Sequence, residues 1–264
     1  MEKYFDTNKK LWNDKVPVHL NSELYMLEAF MKGKSSLCPV STEQLGDIKG
    51  KSILHLQCHF GQDSLSMARM GAKVTGADFS KEAIQKAKEL NSELGLDATF
   101  VEANVLELDQ HLNGLYDIVY TSFGTITWLP DLHQWARVIN HFLKPGGQFI
   151  FVEFHPTINS LEWDTASFDY NYFNSGEPYH EMVLGTYADI GSDLKGEEYF
   201  WQHSFGEIFG ALLGQGFQLQ SFEEYPFSSY DVFGEMNKVE EWKYVYSKIK
   251  ASFPHMFSMK MLKG

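Results

Sequence analysis

Cysteine is nearly absent: Cys38 and Cys58 are the two in a chain of 264 residues, too few for a disulfide framework and without the paired spacing of a zinc site. Both are expected as free thiols. The ten histidines include no His-Glu-x-x-His or comparable spacing, so no metal is expected. Positive charge is also scarce, with 22 lysines and arginines against 35 acids, a net charge of −13 and a pI near 5.2. No basic cluster counters a field that repels phosphate backbones, which argues against a nucleic-acid partner. Long apolar runs are missing too. Nothing approaches the roughly 18 residues of a membrane helix, and Met1 to Asp6 lacks a signal core. A soluble, cytoplasmic protein without a membrane partner is expected, and no internal repeat or low-complexity tract breaks the chain.

Glycine is missing where nucleotide folds concentrate it. Ile53 to Leu56 is an apolar run too short for a helix before Gly61, and Ser64 to Met70 then carries Leu65, Met67, Ala68 and Met70 at helical spacing. A strand therefore feeds a helix through a turn containing Gly61, and Lys73 to Asp78 follows as a second strand. In an open α/β sheet, ligands sit outside the carboxyl ends of the strands. Asp78 stands 17 residues beyond Gly61, near the spacing of a carboxylate that accepts from ribose hydroxyls. The expected ligand is a nucleoside. A pyrophosphate needs several glycines for backbone approach, whereas Gln57, Cys58, His59 and Phe60 precede this turn's one glycine. That weighs against a nicotinamide-dependent oxidoreductase, the rival that shares strand, turn and acid.

Later segments add to the pattern. Ala98 to Glu102 is a third strand leading to Asn104, Tyr116-Asp117-Ile118-Val119-Tyr120 is a fourth, and Leu143-Lys144-Pro145-Gly146-Gly147 turns into a fifth at Gln148 to Phe154. With Leu54-His55-Leu56-Gln57-Cys58-His59-Phe60-Gly61 at the first turn, Lys51 to His155 resembles the class I S-adenosylmethionine-dependent methyltransferases, as a bacterial small-molecule type with a variant first motif. Gln57 and His59 stand where that family usually has its first two glycines, and His55 where it usually has an acid. The resemblance implies an α/β fold with a doubly wound, mostly parallel seven-stranded sheet and S-adenosylmethionine as cofactor. It implies cofactor contacts from Gln57, Cys58, His59, Gly61, Asp78, Phe79, Asn104, Val105 and Thr121, with Trp12 closing from the N-terminal segment. Asn104 replaces the usual Asp, and its amide oxygen can still accept from the adenine amino group. Capping its own turn is the alternative for an asparagine there, and position and order favour the adenine contact.

Residues 1–50 read as helical segments broken at Pro17, either packed on the sheet or forming a lid whose Trp12, His19 and Tyr25 close over the ligand. Residues 51–155 make the binding core, 156–201 a cap insertion, and 202–264 the rest of the core sheet with a helical insertion. The cap holds 10 of the chain's 40 aromatic residues in 46 positions, and Met182 to Tyr187 with Glu198 to Trp201 suits a hairpin. Ser80 and Gly95 bracket a helix over Lys81 to Leu94, and Asp131 caps one over Leu132 to Phe142. Phe205 to Leu213 is a helix, Phe217 to Tyr225 a sixth strand, and Met256 to Leu262 a seventh, which the resemblance implies runs antiparallel beside the fifth. Within 226–253, Val239, Trp242, Val245, Tyr246 and Ile249 predict a helical face.

Methyl transfer from a sulfonium requires a nucleophile held in line at about 3 to 3.5 Å in a dry site, not a nucleophilic side chain. Where the acceptor keeps its proton, His155, Glu153 or His19 is the candidate base, although strand-end polarity also accounts for His155 and Glu153. Acidic composition and the aromatic cap favour a small-molecule acceptor, methylated at oxygen, nitrogen or carbon. A non-catalytic protein that binds the cofactor or its demethylated product on the same fold is the alternative.

Overall fold

A computed structural model describes residues 1–231, 233–234 and 236–264. Helix α1 (Glu2–Asn21) and two short helices, α2 (Leu27–Met31) and α3 (Pro39–Leu45), precede the first strand. The core then alternates β1 (Ser52–Leu56), α4 (Gln62–Arg69), β2 (Lys73–Asp78), α5 (Lys81–Glu93), β3 (Thr99–Glu102), β4 (Tyr116–Ser122), α6 (Leu132–Phe142) and β5 (Leu143–Phe154). The cap contributes β6 (Leu161–Glu162), β7 (Ser167–Phe168), β8 (Tyr179–Leu184) and β9 (Lys195–Phe200). Helix α7 (Phe205–Gly214), β10 (Phe217–Tyr225), β11 (Met236–Glu240), β12 (Lys243–Tyr246) and β13 (Met256–Lys263) complete the chain.

Seven strands share one sheet in the order β10-β13-β5-β4-β1-β2-β3. The strands β1 to β5 pair in parallel, and β13 lies antiparallel between β5 and β10. This is the doubly wound sheet expected, with its reversed strand beside the fifth. The central strands are apolar without alternation because both faces are covered. Ile118, Tyr120, Ile150 and Val152 pack with Val40, Leu45 and Met67. One position along, Val119, Phe149 and Phe151 pack on the opposite side with Trp135, Ile139 and Ile208. Helix ends follow their capping residues: Ser80 Oγ accepts from Ala83 N at 3.1 Å and Asp131 Oδ1 from Gln134 N at 3.0 Å, each cap worth about 1 kcal/mol. Among the described residues no helix is long and apolar enough to cross a membrane.

Two expectations are corrected. Helix α1 passes through Pro17 without a break. Proline removes one ladder donor, but α1 is held from outside: Asn8 exchanges two hydrogen bonds with the Tyr199 backbone, at 2.7 and 2.8 Å, and Lys15 pairs with Glu198 at 3.2 Å. The second correction is over 226–253, of which residues 232 and 235 lie outside the described residues. There β11 and β12 pair as a hairpin in place of a helix. Trp242 takes a left-handed φ of 62° at the turn, and Met236 and Tyr246 are buried with Phe154 and Leu161, against which Trp163 packs. Burial across the hairpin overrides the helical spacing of its apolar residues. In the cap, β8 and β9 form the expected hairpin, pairing Tyr179 with Phe200 through Leu184 with Lys195.

Candidate functional site

After Leu56 the chain turns at the carboxyl end of β1, between β4 and β2 in the sheet. Gln57, His59 and Gly61 all take left-handed backbone, with φ of 53°, 50° and 79°. An alternating left-handed turn is thus kept while two of its three positions carry side chains, at roughly 1–2 kcal/mol of strain for each non-glycine residue. Hydrogen bonds hold it. Cys58 N donates to Ala77 O at 3.0 Å, Gly61 N to Cys58 O at 2.9 Å, and His59 N to Asp78 Oδ2 at 2.8 Å. Ser80 N donates to the other Asp78 oxygen at 2.8 Å. One carboxylate therefore joins the ends of β1 and β2. Burial raises the Asp78 pKa to about 6, opposed by the backbone N–H groups of Ser80, His59 and Phe79.

These strand ends open on a cavity of about 360 Å³. Nine of the ten residues expected at a cofactor line it: Gln57, Cys58, His59, Gly61, Asp78, Phe79, Asn104 and Val105 from the core, and Trp12 from α1. Thr121 does not. It is fully buried in β4, and its Oγ1 donates to Leu56 O at 3.4 Å. Gly61 also answers a packing need, since a β-carbon there would stand 2.7 Å from a ring carbon of Phe100 and 3.0 Å from Ala87 Cβ. The Cys58 side chain packs with Phe60, Leu65 and Phe100. Asn104 Oδ1 accepts from Leu106 N at 3.1 Å, the turn-capping role.

The three candidate bases lie elsewhere. Glu153 is buried and accepts from Gly124 N, from Thr125 N and Oγ1 at 2.7 and 2.8 Å, and from Phe154 N at 2.7 Å. It pins the loop after β4 and is not part of the cavity wall. His155 is also off the wall, with Nε2 2.8 Å from Glu224 Oε1 and Nδ1 accepting from Thr157 N at 3.0 Å. His19 is buried behind the wall, its Nδ1 2.9 Å from His59 Nε2, so one ring donates and the other accepts. Burial lowers the pKa of His19 to about 3 and that of His59 well below the usual histidine value. Both rings are neutral.

Three polar atoms of wall residues are buried without a partner among the described residues: Gln57 Oε1, His59 Nδ1 and Trp12 Nε1. Such atoms mark places for a polar ligand. One cation is already seated on the aromatics, for Lys15 Nζ lies 4.7 Å from the Trp12 ring and 5.3 Å from that of Trp128. The Tyr25 and Tyr187 hydroxyls, 2.5 Å apart, link the N-terminal segment to the cap at the cavity wall. Toward β4 the wall gains Ser122, Phe123, Tyr230 and Trp242. Asp63, in the first turn of α4, also faces this cavity. Sequence reading passed over it, although an acid two residues past Gly61 is a helix-start signal.

Residues 53–147 match the family model described as a methyltransferase domain. That segment and the seven-stranded, mostly parallel sheet built around it are similar to those of class I S-adenosylmethionine-dependent methyltransferases. The chain is similar to the ubiquinone biosynthesis O-methyltransferase of Escherichia coli O127:H6, with 36% identity over 109 residues, 41% of this chain and 45% of that protein. The chain thus spans about half the length of the curated relatives it matches. Its fold is similar to that of a putative S-adenosylmethionine-dependent methyltransferase from Listeria monocytogenes, at TM-score 0.58 and 19% identity over 84% of this chain and 95% of that one. A second such methyltransferase, from Mesorhizobium loti, matches at TM-score 0.57 and 18% identity over 88% of this chain and 100% of the other.

Proposed function

We propose that this protein transfers a methyl group from S-adenosylmethionine to a small molecule. The cofactor would lie across the carboxyl ends of β1, β2 and β3, with the acceptor against the aromatic wall beside β4. The observation that carries this reading is the left-handed turn 57–61 bound to Asp78 at one wall of the cavity. The residues suit the cofactor. Asp78 can accept from ribose hydroxyls while it holds Ser80 N–H, Phe79 and Asn104 flank the place for adenine, and the unpartnered atoms of Gln57, His59 and Trp12 await a polar ligand. A dinucleotide suits them less well, because Gln57 and His59 carry side chains where a pyrophosphate would meet bare backbone.

When bound, the cofactor supplies a sulfonium with an electrophilic methyl group. The protein's own part is to orient the acceptor and exclude water. Trp12, Tyr25 and Tyr187 would do the latter, as walls from the N-terminal segment and the cap. The neutral His19–His59 pair is a weak base and serves to orient, which favours an acceptor that gives up its proton readily. Calorimetric titration with S-adenosylhomocysteine tests the reading, with Asp78→Ala and NAD as controls. Saturable binding to wild type, weakened in Asp78→Ala and absent with NAD, is expected. A folded wild-type protein that does not bind would overturn it.

A further inference from the structure

The charged end of the expected cofactor needs a partner that the familiar position does not supply. Where class I methyltransferases usually carry an acid, this chain has His55, buried, with Nδ1 2.8 Å from Ser64 Oγ and a pKa lowered to about 3 by desolvation. A neutral imidazole bound to a hydroxyl cannot balance an ammonium group. Two carboxylates line the cavity among the described residues, Asp63 and Asp78. Asp78 is committed at the end of β2 to His59 N and Ser80 N.

Asp63 has a different setting. It sits in the first turn of α4, which follows β1, and accepts from Ser36 Oγ at 2.6 Å. Ser122, at the end of β4, also faces its carboxylate, and burial raises its pKa with no cation among the causes. It makes no ion pair among the described residues. The strand order β4-β1-β2-β3 sets its place along a bound molecule. With adenosine over β2 and β3, the amino acid tail extends past β1 toward β4, where Asp63 and Ser122 meet.

We infer that Asp63 binds the α-ammonium group of the cofactor's amino acid tail, in place of the acid missing at position 55. This rests on the reading of the cavity as a cofactor site. A half-buried carboxylate without a countercharge is poorly solvated in the cavity wall, and an ammonium group between Asp63 and Ser122 would supply both countercharge and donors.

Two probes isolate the tail: S-adenosylhomocysteine, which has it, and methylthioadenosine, which keeps the nucleoside and sulfur but lacks the amino acid. Calorimetric titration of wild type and Asp63→Asn with each is the experiment. We expect Asp63→Asn to weaken S-adenosylhomocysteine by about ten- to a hundred-fold, the scale of a charge-assisted hydrogen bond, and to leave methylthioadenosine within about twofold. The thermal midpoint of the unliganded variant should equal or exceed that of wild type, since the substitution removes a half-buried charge that has no ion-pair partner among the described residues. A variant that binds both probes as wild type does, or loses both equally, overturns the inference while the cofactor reading stands. Wild type that binds neither probe overturns both.

Discussion

The backbone N–H of His59 donates to Asp78 Oδ2 at 2.8 Å, so the strained turn after β1 and the acid that ends β2 act as one unit. Changes in the charge of Asp78 are therefore felt by the turn. Its pKa of about 6 in the fold lies above the ordinary 3.8 because burial disfavours the ion. The sign follows: the folded state holds this proton more tightly, so the group's charge costs stability above about pH 6, and protonation relieves that cost as pH falls toward 3.8. Binding runs the other way. Protonation removes an acceptor for the ribose, so affinity for S-adenosylhomocysteine should fall as pH drops through about 6, and Asp78→Asn should bind weakly with a flat profile. Titrations at several pH values check this; a wild-type affinity that rises in acid would refute it.

Gly61→Ala and Gly95→Ala separate packing from backbone strain. Both glycines have positive φ, 79° and 62°, but a β-carbon on Gly61 meets Phe100 and Ala87 while one on Gly95 meets nothing within 4 Å. Strain of roughly 1–2 kcal/mol is common to both, and overpacking should add about 1–3 kcal/mol at Gly61 alone. Denaturant midpoints should rank Gly61→Ala well below Gly95→Ala. Equal losses would mean that Phe100 yields.

Glu153→Gln should destabilise by roughly 2–4 kcal/mol, because an amide nitrogen would face the N–H groups of Gly124, Thr125 and Phe154 and leave donors unpaired. It should also weaken cofactor-analogue binding, since Gln57 Nε2 donates to Thr125 O in the loop that Glu153 pins. His155→Ala should leave that affinity within about twofold, His155 being outside the cavity wall, while a full hydrogen-bond loss there costs stability alone. Calorimetry on both variants checks the pair, and a large affinity loss in His155→Ala would place that residue in the site.

Asn8→Ala should loosen α1 from the cap. The two bonds to the Tyr199 backbone would be left without partners in a buried place, worth about 1–3 kcal/mol. Faster amide exchange is expected in α1 and β9 and not in the central sheet. Unchanged exchange in α1 would show that packing of Leu11 and Val16 holds it without Asn8.

The sheet was legible because its information is local. Short apolar runs, Ser80, Asp131 and the Lys144–Gly147 turn each mark a boundary within a few residues of themselves, and the family resemblance supplied the place of the reversed strand. Continuity of α1 through Pro17 was not legible, since it depends on Glu198 and Tyr199, about 190 residues away. The β11–β12 hairpin was misread because Val239, Trp242, Val245 and Tyr246 also suit a helix, and the cluster around Trp163 decides between them. In the site, residues set at strand ends could be placed from order alone. Asp63 could not, because its role depends on Ser36 and Ser122, brought to it by separate elements.

The left-handed turn also bears on how such a motif is recognised. At positions 57 and 59 the backbone suits glycine, so a substitution to glycine at either would relieve strain of roughly 1–2 kcal/mol. Gln57 and His59 stand there nonetheless, one bonded to Thr125 and the other to His19, so the left-handed geometry of this turn is carried by residues whose letters do not announce it.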